Sequence, residues 1–373
     1  MKVTFLLPPV NFSGGIRVVA IYAKWLQDAG HDVTLISVLP ARPSIRESFK
    51  ALIKEGKWPR SEAPSSHLDG LGLNHRILPP GLTPTDADVP DGDVVIATWW
   101  ETAEWAARLS PSKGRKVYFI QHHELFDFVP ADRCEATYRL PFQQIAVAQW
   151  LADVMRTRYG NPNCAVVPNA VDHDVFYPET LGQARPLTVG TLFSSASFKA
   201  SDTACEILKA LKKKYPSLKV VMLGSAKPPE GLIAELGAEM FFSPSQDQIR
   251  AIYNRCRLWL TTSRSEGFNL MAMEAMACGT PVVSTRTGWP IEAVKSGVNG
   301  ELIDIDSLEQ GVTACDKLLR LSTQDWLAVS RGAHATVAHL CWERTAVQFE
   351  ALLTAALPVQ PNGHDQLSAS STS

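Results

Sequence analysis

A chain of 373 residues is too long for one ordinary core, and at about 150 residues per domain it divides into two. Apolar residues make up 45% and charged residues 20%, which describes a globular chain, and a net charge of −2 gives no general electrostatic drive toward nucleic acid. The seven cysteines (134, 164, 205, 256, 278, 315 and 341) are scattered, odd in number and form no C-x-x-C pair, which argues for reduced thiols in a cytoplasm and against a disulfide framework or zinc cluster. No apolar run reaches the length of a membrane span, and Pro8, Pro9 and Asn11 interrupt the first one, so the start does not read as a secretion signal. No short-period internal repeat is present.

Lys2 to Leu7 reads as a fully buried strand. Ser13-Gly14-Gly15 then opens an amphipathic helix through Ile16, Val19, Ala20, Ala23 and Leu26 to Gly30, and His31 to Val38 is the next strand. The unit is βαβ in outline but lacks G-x-G-x-x-G. Paired glycines let a backbone approach a ligand closely, or simply make a tight turn. Residues 43–60 form a basic amphipathic segment, with Ile45, Phe49, Leu52 and Ile53 on one face and Lys50, Lys54 and Lys57 on another. Such a helix could lie on an anionic membrane, although base rates favour a packed helix with a solvated basic face. From Ser61 to Gly92 the chain is loop, with one short strand near His75 to Leu78.

Strand-like runs at Asp93 to Ala97 and Lys116 to Ile120 continue the α/β alternation. Gln121-His122-His123-Glu124 follows the second, at a strand C-terminal end, where open parallel sheets collect ligands. An imidazole or carboxylate there could polarise an acceptor hydroxyl. Neighbours in an extended segment point opposite ways, so at most one of His122 and His123 faces a given ligand; a hydrogen-bonded structural histidine is the competing reading. Trp99, Trp100 and Glu101 lie on the same expected rim, suited to stacking on an acceptor sugar or to core packing. Ile145 to Val147 and Ala165 to Val167 close the first domain.

The second domain begins at Pro186 with a strand, Leu187 to Val189. Ser245-Gln246-Asp247-Gln248 has the spacing of a capping box. Leu258 to Leu260 then leads through Glu266-Gly267 into helix formers ended by Gly279 and Pro281, a strand, loop, helix, strand pattern. Amide N–H groups near Phe268, Asn269 and Leu270 would open that helix without intrahelical acceptors, an anion site fit for a diphosphate. Glu266 and Glu274, eight apart, can hold two hydroxyl clusters of a ligand whose phosphate lies between them. Ser307 to Leu321, Thr323 to Leu340 and Trp342 to Leu357 are helical, and residues 358–373 are expected to be disordered.

The stretch from Glu266-Gly267-Phe268 through Glu274-Ala275-Met276-Ala277-Cys278-Gly279-Thr280-Pro281-Val282-Val283 resembles the E-x7-E signature of the retaining glycosyltransferases of family four, which have the GT-B architecture. That resemblance implies an α/β fold of two Rossmann-like parallel-sheet domains facing a cleft. Its divisions would be an acceptor-side domain at 1–168, a linker at 169–185, a donor domain at 186–340 and a helix at 341–357 returning to the first domain. It implies that Glu266 meets the donor sugar and Glu274 the nucleotide ribose, that Gly14 and Gly15 lie beside the donor phosphate, with Arg17 a weaker candidate, and that Ser245 neighbours the base. Pro168-Asn169-Ala170-Val171-Asp172 is similar to the family's interdomain segment, with Ala170 in place of its common glycine. Thr191 stands where the family carries an arginine and Ala200 where it carries a glycine; Lys199, retained between them, would be the one direct cation for the diphosphate.

The implied activity is transfer of a sugar from a nucleoside-diphosphate sugar to a hydroxyl acceptor with retention, in bacterial surface-polysaccharide or glycoconjugate assembly. Glu266, Lys199 and one of His122 and His123 would carry it, with no cofactor beyond the donor substrate. Asp86-Ala87-Asp88, Asp91-Gly92-Asp93 and Asp304-Ile305-Asp306 read as loop and capping residues, so no metal is expected. The acceptor would be a glycan, a lipid-linked sugar or a small molecule, and the location cytoplasmic, with residues 43–60 able to touch the inner membrane face. The alternatives are a nucleotide-sugar hydrolase or epimerase on the same scaffold, or a non-catalytic sugar-nucleotide-binding subunit.

Overall fold

A computed structural model describes residues 1–40, 65–179 and 182–355. The basic segment 43–60 and the tail 358–373 lie outside the described residues. In the first half the order is β1 (Lys2–Leu7), α1 (Gly14–Asp28), β2 (Asp32–Val38), β3 (Asn74–Leu78), β4 (Val94–Ala97), α2 (Trp100–Arg108) and β5 (Arg115–Ile120). It continues with α3 (Ala131–Thr137), β6 (Gln143–Ala146), α4 (Gln149–Tyr159) and β7 (Ala165–Val166). These seven strands form one parallel sheet in the order β3-β2-β1-β4-β5-β6-β7. Its central strands are buried on both faces because helices cover both, which explains the unbroken apolar runs VTFLL and VVIA.

The second half runs β8 (Thr188–Leu192), α5 (Ser201–Lys214), β9 (Lys219–Gly224), α6 (Leu232–Leu236), β10 (Ala238–Phe242), α7 (Gln246–Arg255) and β11 (Leu258–Thr261). Then come α8 (Leu270–Ala277), β12 (Val282–Thr285), α9 (Pro290–Ala293), β13 (Gly300–Ile303), α10 (Leu308–Leu319) and α11 (Thr323–Val337). Its six strands are also parallel, in the order β10-β9-β8-β11-β12-β13. In each sheet the strand order reverses direction beside the first strand, and ligand crevices form outside the strand C-terminal ends at such points. The C-terminal edges of the two sheets face each other, since the loops after β1 and β5 touch the loop between β11 and α8.

Two chain crossings join the halves, and they run side by side. Val171 pairs with Cys341 in an isolated parallel bridge, and the Val171 amide and a His173 ring nitrogen both bond the Leu340 carbonyl. Ala170, at the position of the family's common glycine, is buried and keeps a negative φ, so the backbone there needs no glycine. Beyond Cys341, α12 (Trp342–Thr354) packs on the first half: Phe349 stacks on Tyr22 at 4.5 Å between centroids and meets Phe119 edge-on at 5.1 Å. Arg115 and Gln143 donate to the Leu353 and Leu352 carbonyls at the end of α12, where carbonyls lack helical partners.

Ala200 sits in the left-handed region at φ 48° and ψ 45°, immediately before α5. That conformation costs a non-glycine residue about 1–2 kcal/mol, offset in part by the greater unfolded-state freedom of glycine, about 0.4–1 kcal/mol. Ala200 is also buried, and loss of its methyl costs about 0.8 kcal/mol, so Ala200→Gly is expected to leave stability within about 0.5 kcal/mol of the parent and the thermal midpoint within about 1 °C. Scanning calorimetry of the two proteins checks this.

Candidate functional site

Helices from the two halves begin against each other in the middle of the cleft. A Cβ added to Gly14, the first residue of α1, would lie 3.3 Å from the Leu270 side chain, the first residue of α8. Gly15 faces the Gln121 side-chain amide of its own half, where a Cβ would sit at an ordinary contact distance of 3.6 Å. Both glycines have negative φ, so backbone geometry requires neither; at Gly14 it is the closeness of Leu270 that a side chain would disturb. Helix α8 starts later than the sequence pattern suggests. Asn269 adopts φ 80° and ψ 66° and caps the helix, its Oδ1 accepting the Ala272 amide at 3.2 Å. The uncapped first-turn amides are those of Leu270 and Met271, not Phe268 and Asn269. The short polar side chain of Asn269 tolerates the left-handed turn that a longer residue resists. Phe268 instead accepts the Trp289 amide through its carbonyl and stacks on the Trp289 ring.

Both acids of the E-x7-E stretch lie at this junction, and each is paired with a cation. Glu266 Oε1 accepts from Lys199 Nζ at 2.7 Å and from the Ser263 hydroxyl at 2.7 Å. Glu274 Oε1 accepts from Arg17 Nη1 at 2.5 Å, and its Oε2 from the Tyr253 hydroxyl at 3.2 Å. The first pair lies within the second half; the second spans the cleft. The carboxylate residues are only 9% and 5% exposed, so an unpaired charge at either would be strongly destabilising. Helical side chains lean toward the N-terminus, which sets the Glu274 carboxylate over the first turn of α8. Burial, and next the neighbouring Glu274 charge, push the Tyr253 hydroxyl well above its ordinary range, so it acts as a hydrogen-bond donor.

The two histidines after β5 diverge. His122 Nδ1 bonds its neighbour's carbonyl at 2.9 Å, which puts the proton there and leaves Nε2 as an acceptor facing the Ser265 hydroxyl of the other half at 3.3 Å. Burial lowers its pKa, keeping the ring neutral. His123 turns away from the cleft, its Nε2 at 2.7 Å from the Tyr159 hydroxyl and its ring against Tyr138. Of the two, the structure brings His122 to Glu266 and leaves His123 inside the first half. Glu124 is fully buried, accepting the Trp100 amide at 2.7 Å and the Tyr118 hydroxyl at 3.2 Å. Burial holds its carboxyl well above the usual carboxylate range, so it is an internal tie between β5 and α2.

The halves meet closely at Gly267, where a Cβ would fall 1.8 Å from the Gln121 carbonyl oxygen. Trp150 of α4 reinforces the contact by donating its indole N–H to the Gly267 carbonyl at 2.8 Å, while Glu292 of the second half accepts the Trp150 amide at 2.7 Å. Ser263, Tyr253, Trp150 and Glu292 were not apparent as site residues from the sequence. Ser263, three positions before Glu266, carried the one local signal; the others come from distant elements.

Comparison with known proteins gives this geometry a family. Residues 186–326 match the model for glycosyl transferases group 1. This segment is a glycosyl transferases group 1 domain. It holds Lys199, Glu266 and Glu274, so the cleft chemistry above belongs largely to the matched region. The chain is 34% identical over 155 residues to a D-inositol 3-phosphate glycosyltransferase of Mycobacterium leprae (strain Br4923), covering 38% of this chain and 36% of that one. With the Mycobacterium avium (strain 104) protein of the same name it is 33% identical over 200 residues, covering 48% and 46%. The matched segments thus span less than half the length of these curated relatives. Among solved structures, Anabaena Alr3699/HepE in complex with UDP superposes with a TM-score of 0.72 at 18% identity, covering 95% of this chain and 100% of that one. Sucrose-phosphate synthase from Thermosynechococcus elongatus superposes with a TM-score of 0.69 at 16% identity, covering 94% and 98%. The fold is GT-B, with two parallel-sheet halves and a terminal helix returned to the first.

Within the glycosyl transferases group 1 domain, Thr191 cannot reach the cleft. It is 2% exposed in β8, and its hydroxyl donates to the Leu260 carbonyl at 2.9 Å. Ser245 forms the reciprocal cap with Gln248 at the start of α7, on the same sheet edge as Lys199 and Glu266. The three D-x-D pairs are engaged locally: Asp86 by Ser110, Asp88 by Thr85, Asp91 by Lys113, Asp93 by the Lys2 amide, Asp304 by Arg286 and Asp306 by Arg264.

Gly267→Ala is expected to drive the halves apart while each keeps its fold: small-angle scattering should show a larger radius of gyration with an unchanged far-ultraviolet spectrum. A second expectation concerns pH. Burial, followed by the nearby Arg158 charge, lowers the His123 pKa from 6.5 to about 4. The unfolded chain therefore takes up this proton first, and stability present above pH 6.5 is lost as the pH falls toward about 4. The fall in urea midpoint between pH 7.5 and pH 5 should be smaller in His123→Gln than in the parent, with both measured by fluorescence.

Proposed function

We propose that this chain transfers a glycosyl group from a nucleoside-diphosphate sugar to a hydroxyl acceptor, with retention of configuration and without a metal. The observation that carries this reading is the pair of buried carboxylates, each matched with a cation, flanking the open amides of α8 where two parallel sheets face each other. A ligand with an anionic centre between two sets of hydroxyls fits that arrangement. Phosphate oxygens would take the cations and amides, and paired hydroxyls would take the carboxylates. Glu266 would hold the transferred sugar, Glu274 the ribose, and Ser245 would lie near the base.

Charge grows on the leaving diphosphate as the glycosidic bond breaks. Lys199, the Leu270 and Met271 amides and the amides at Gly14 and Gly15 would stabilise it, supplying the positive field that a metal provides elsewhere. His122, neutral with its Nε2 turned to the Ser265 hydroxyl of the second half, is the group in place to accept the acceptor proton once a substrate hydroxyl replaces that of Ser265. The close fit at Gly267 would exclude water, which otherwise competes for the sugar. UDP in the solved HepE structure and the glycosyltransferase names of the curated relatives support a nucleotide donor. Among the described residues no helix is long and apolar enough to cross a membrane. A cytoplasmic role in polysaccharide or glycoconjugate assembly, with a glycan, lipid-linked or small-molecule acceptor, belongs to the same proposal, as does any membrane contact through residues 43–60.

A thermal-shift panel of UDP, ADP, GDP and their sugars tests the donor directly: one nucleoside-diphosphate sugar should stabilise the protein above the rest. Lys199→Ala should then weaken that donor by about 10- to 100-fold, with a much smaller effect on the free nucleoside. Equal loss for both would remove Lys199 from the diphosphate. Release of nucleotide at the same rate with and without acceptor, followed by product analysis, would replace the transferase with a hydrolase; lack of turnover despite donor binding would leave a binding subunit.

A further inference from the structure

Four charged groups meet at the junction of α1 and α8, and they balance: Lys199 with Glu266, and Arg17 with Glu274. Arg17 is rooted in the first half, one turn past the Gly14 contact with Leu270, while its partner carboxylate lies over the first turn of α8. Its guanidinium also sits over the Phe176 ring, 5.8 Å from the centroid, which restrains it without using its donors. Arginine carries five N–H donors in a fixed fork, and the pair with Glu274 engages Nη1, so capacity for a second acceptor remains.

Resting on the donor reading above, we propose that Arg17 binds the donor diphosphate together with Lys199, and that in the empty cleft Glu274 and Glu266 hold these two cations in position. When a nucleoside-diphosphate sugar enters, each cation exchanges a carboxylate for phosphate oxygens, and each carboxylate exchanges a cation for hydroxyls. No buried charge is left unmatched at the end of that exchange. Inorganic pyrophosphate offers only half of it: it would draw both cations away and leave two buried carboxylates with one hydroxyl donor each, Ser263 and Tyr253, and no cation. A nucleoside fails in the opposite sense. The paired charges therefore select a ligand that carries diphosphate and sugar together. Because Arg17 and the α8 amides come from different halves, the diphosphate also ties the halves to each other.

Calorimetric titration with UDP and inorganic pyrophosphate, and saturation-transfer NMR with uridine, test this on the full chain and on Arg17→Gln, Arg17→Lys and Glu274→Gln. If ADP or GDP stabilises the parent more than UDP does, that nucleotide and its nucleoside replace the uridine pair. Arg17→Gln should weaken the diphosphate by about 10-fold or more without weakening the nucleoside, since Glu274 is then free to accept from the ribose hydroxyls. Arg17→Lys should recover part of the loss. Glu274→Gln should tighten pyrophosphate, since Arg17 is released, yet weaken the nucleoside. Equal losses of nucleoside and diphosphate in Arg17→Gln, or unchanged pyrophosphate binding in Glu274→Gln, would overturn the role of Arg17. Failure of the parent to bind UDP, ADP or GDP would instead overturn the donor reading itself.

Discussion

A carboxylate removed from water needs a cation or a set of donors beside it, and this requirement at Glu266 and Glu274 organises the centre of the molecule. Glu274 sits inside α8 with Tyr253 of α7 on one oxygen and Arg17 of α1 on the other. Glu266 draws Lys199 across from the loop after β8 and Ser263 from the end of β11. Two loops and three helices are thereby tied together by two buried charges. Apolar side chains could fill the same volume with less desolvation penalty, so the pairs are not themselves a source of net stability.

Closure of the two halves is set by one close backbone contact, which side chains from both halves reinforce. Gly267 passes so near the Gln121 carbonyl that no other residue fits, and the Trp150 indole and Glu292 carboxylate fasten the same contact from either side. The crossings at Val171 and Cys341 lie together, so the halves are joined through one narrow place. Behind the cleft, Glu124, Tyr118, Tyr138 and His123 form a polar knot within the first half. It sets the path of the chain after β5 and so the direction in which His122 points.

Legibility in the sequence followed how local each determinant was. Apolar runs of four to six residues between glycine turns and amphipathic helices gave the alternation of strand and helix, because burial on both faces of a parallel sheet removes polar positions. The cap at Ser245 was readable because both partners lie within four residues of each other. The start of α8 was placed too early, since the left-handed turn at Asn269 is a property of the folded loop that composition does not announce. Alternation in an extended segment limited the histidines after β5 to one at the cleft; it could not choose between them, because that choice rests on Tyr159, Tyr138 and Ser265 from three other elements.

By itself the sequence determined that this is a two-sheet α/β chain with a pair of glutamates bracketing a helix start, since pattern, spacing and capping chemistry act over a few residues. Tertiary structure alone decided which charges meet. Arg17 and Glu274 are separated by 257 positions, and Gly267 and Gln121 by more than a hundred; no periodicity connects them. They come together because two parallel sheets present their C-terminal edges to a common cleft, and because buried charge is stable only where an opposite charge can reach it.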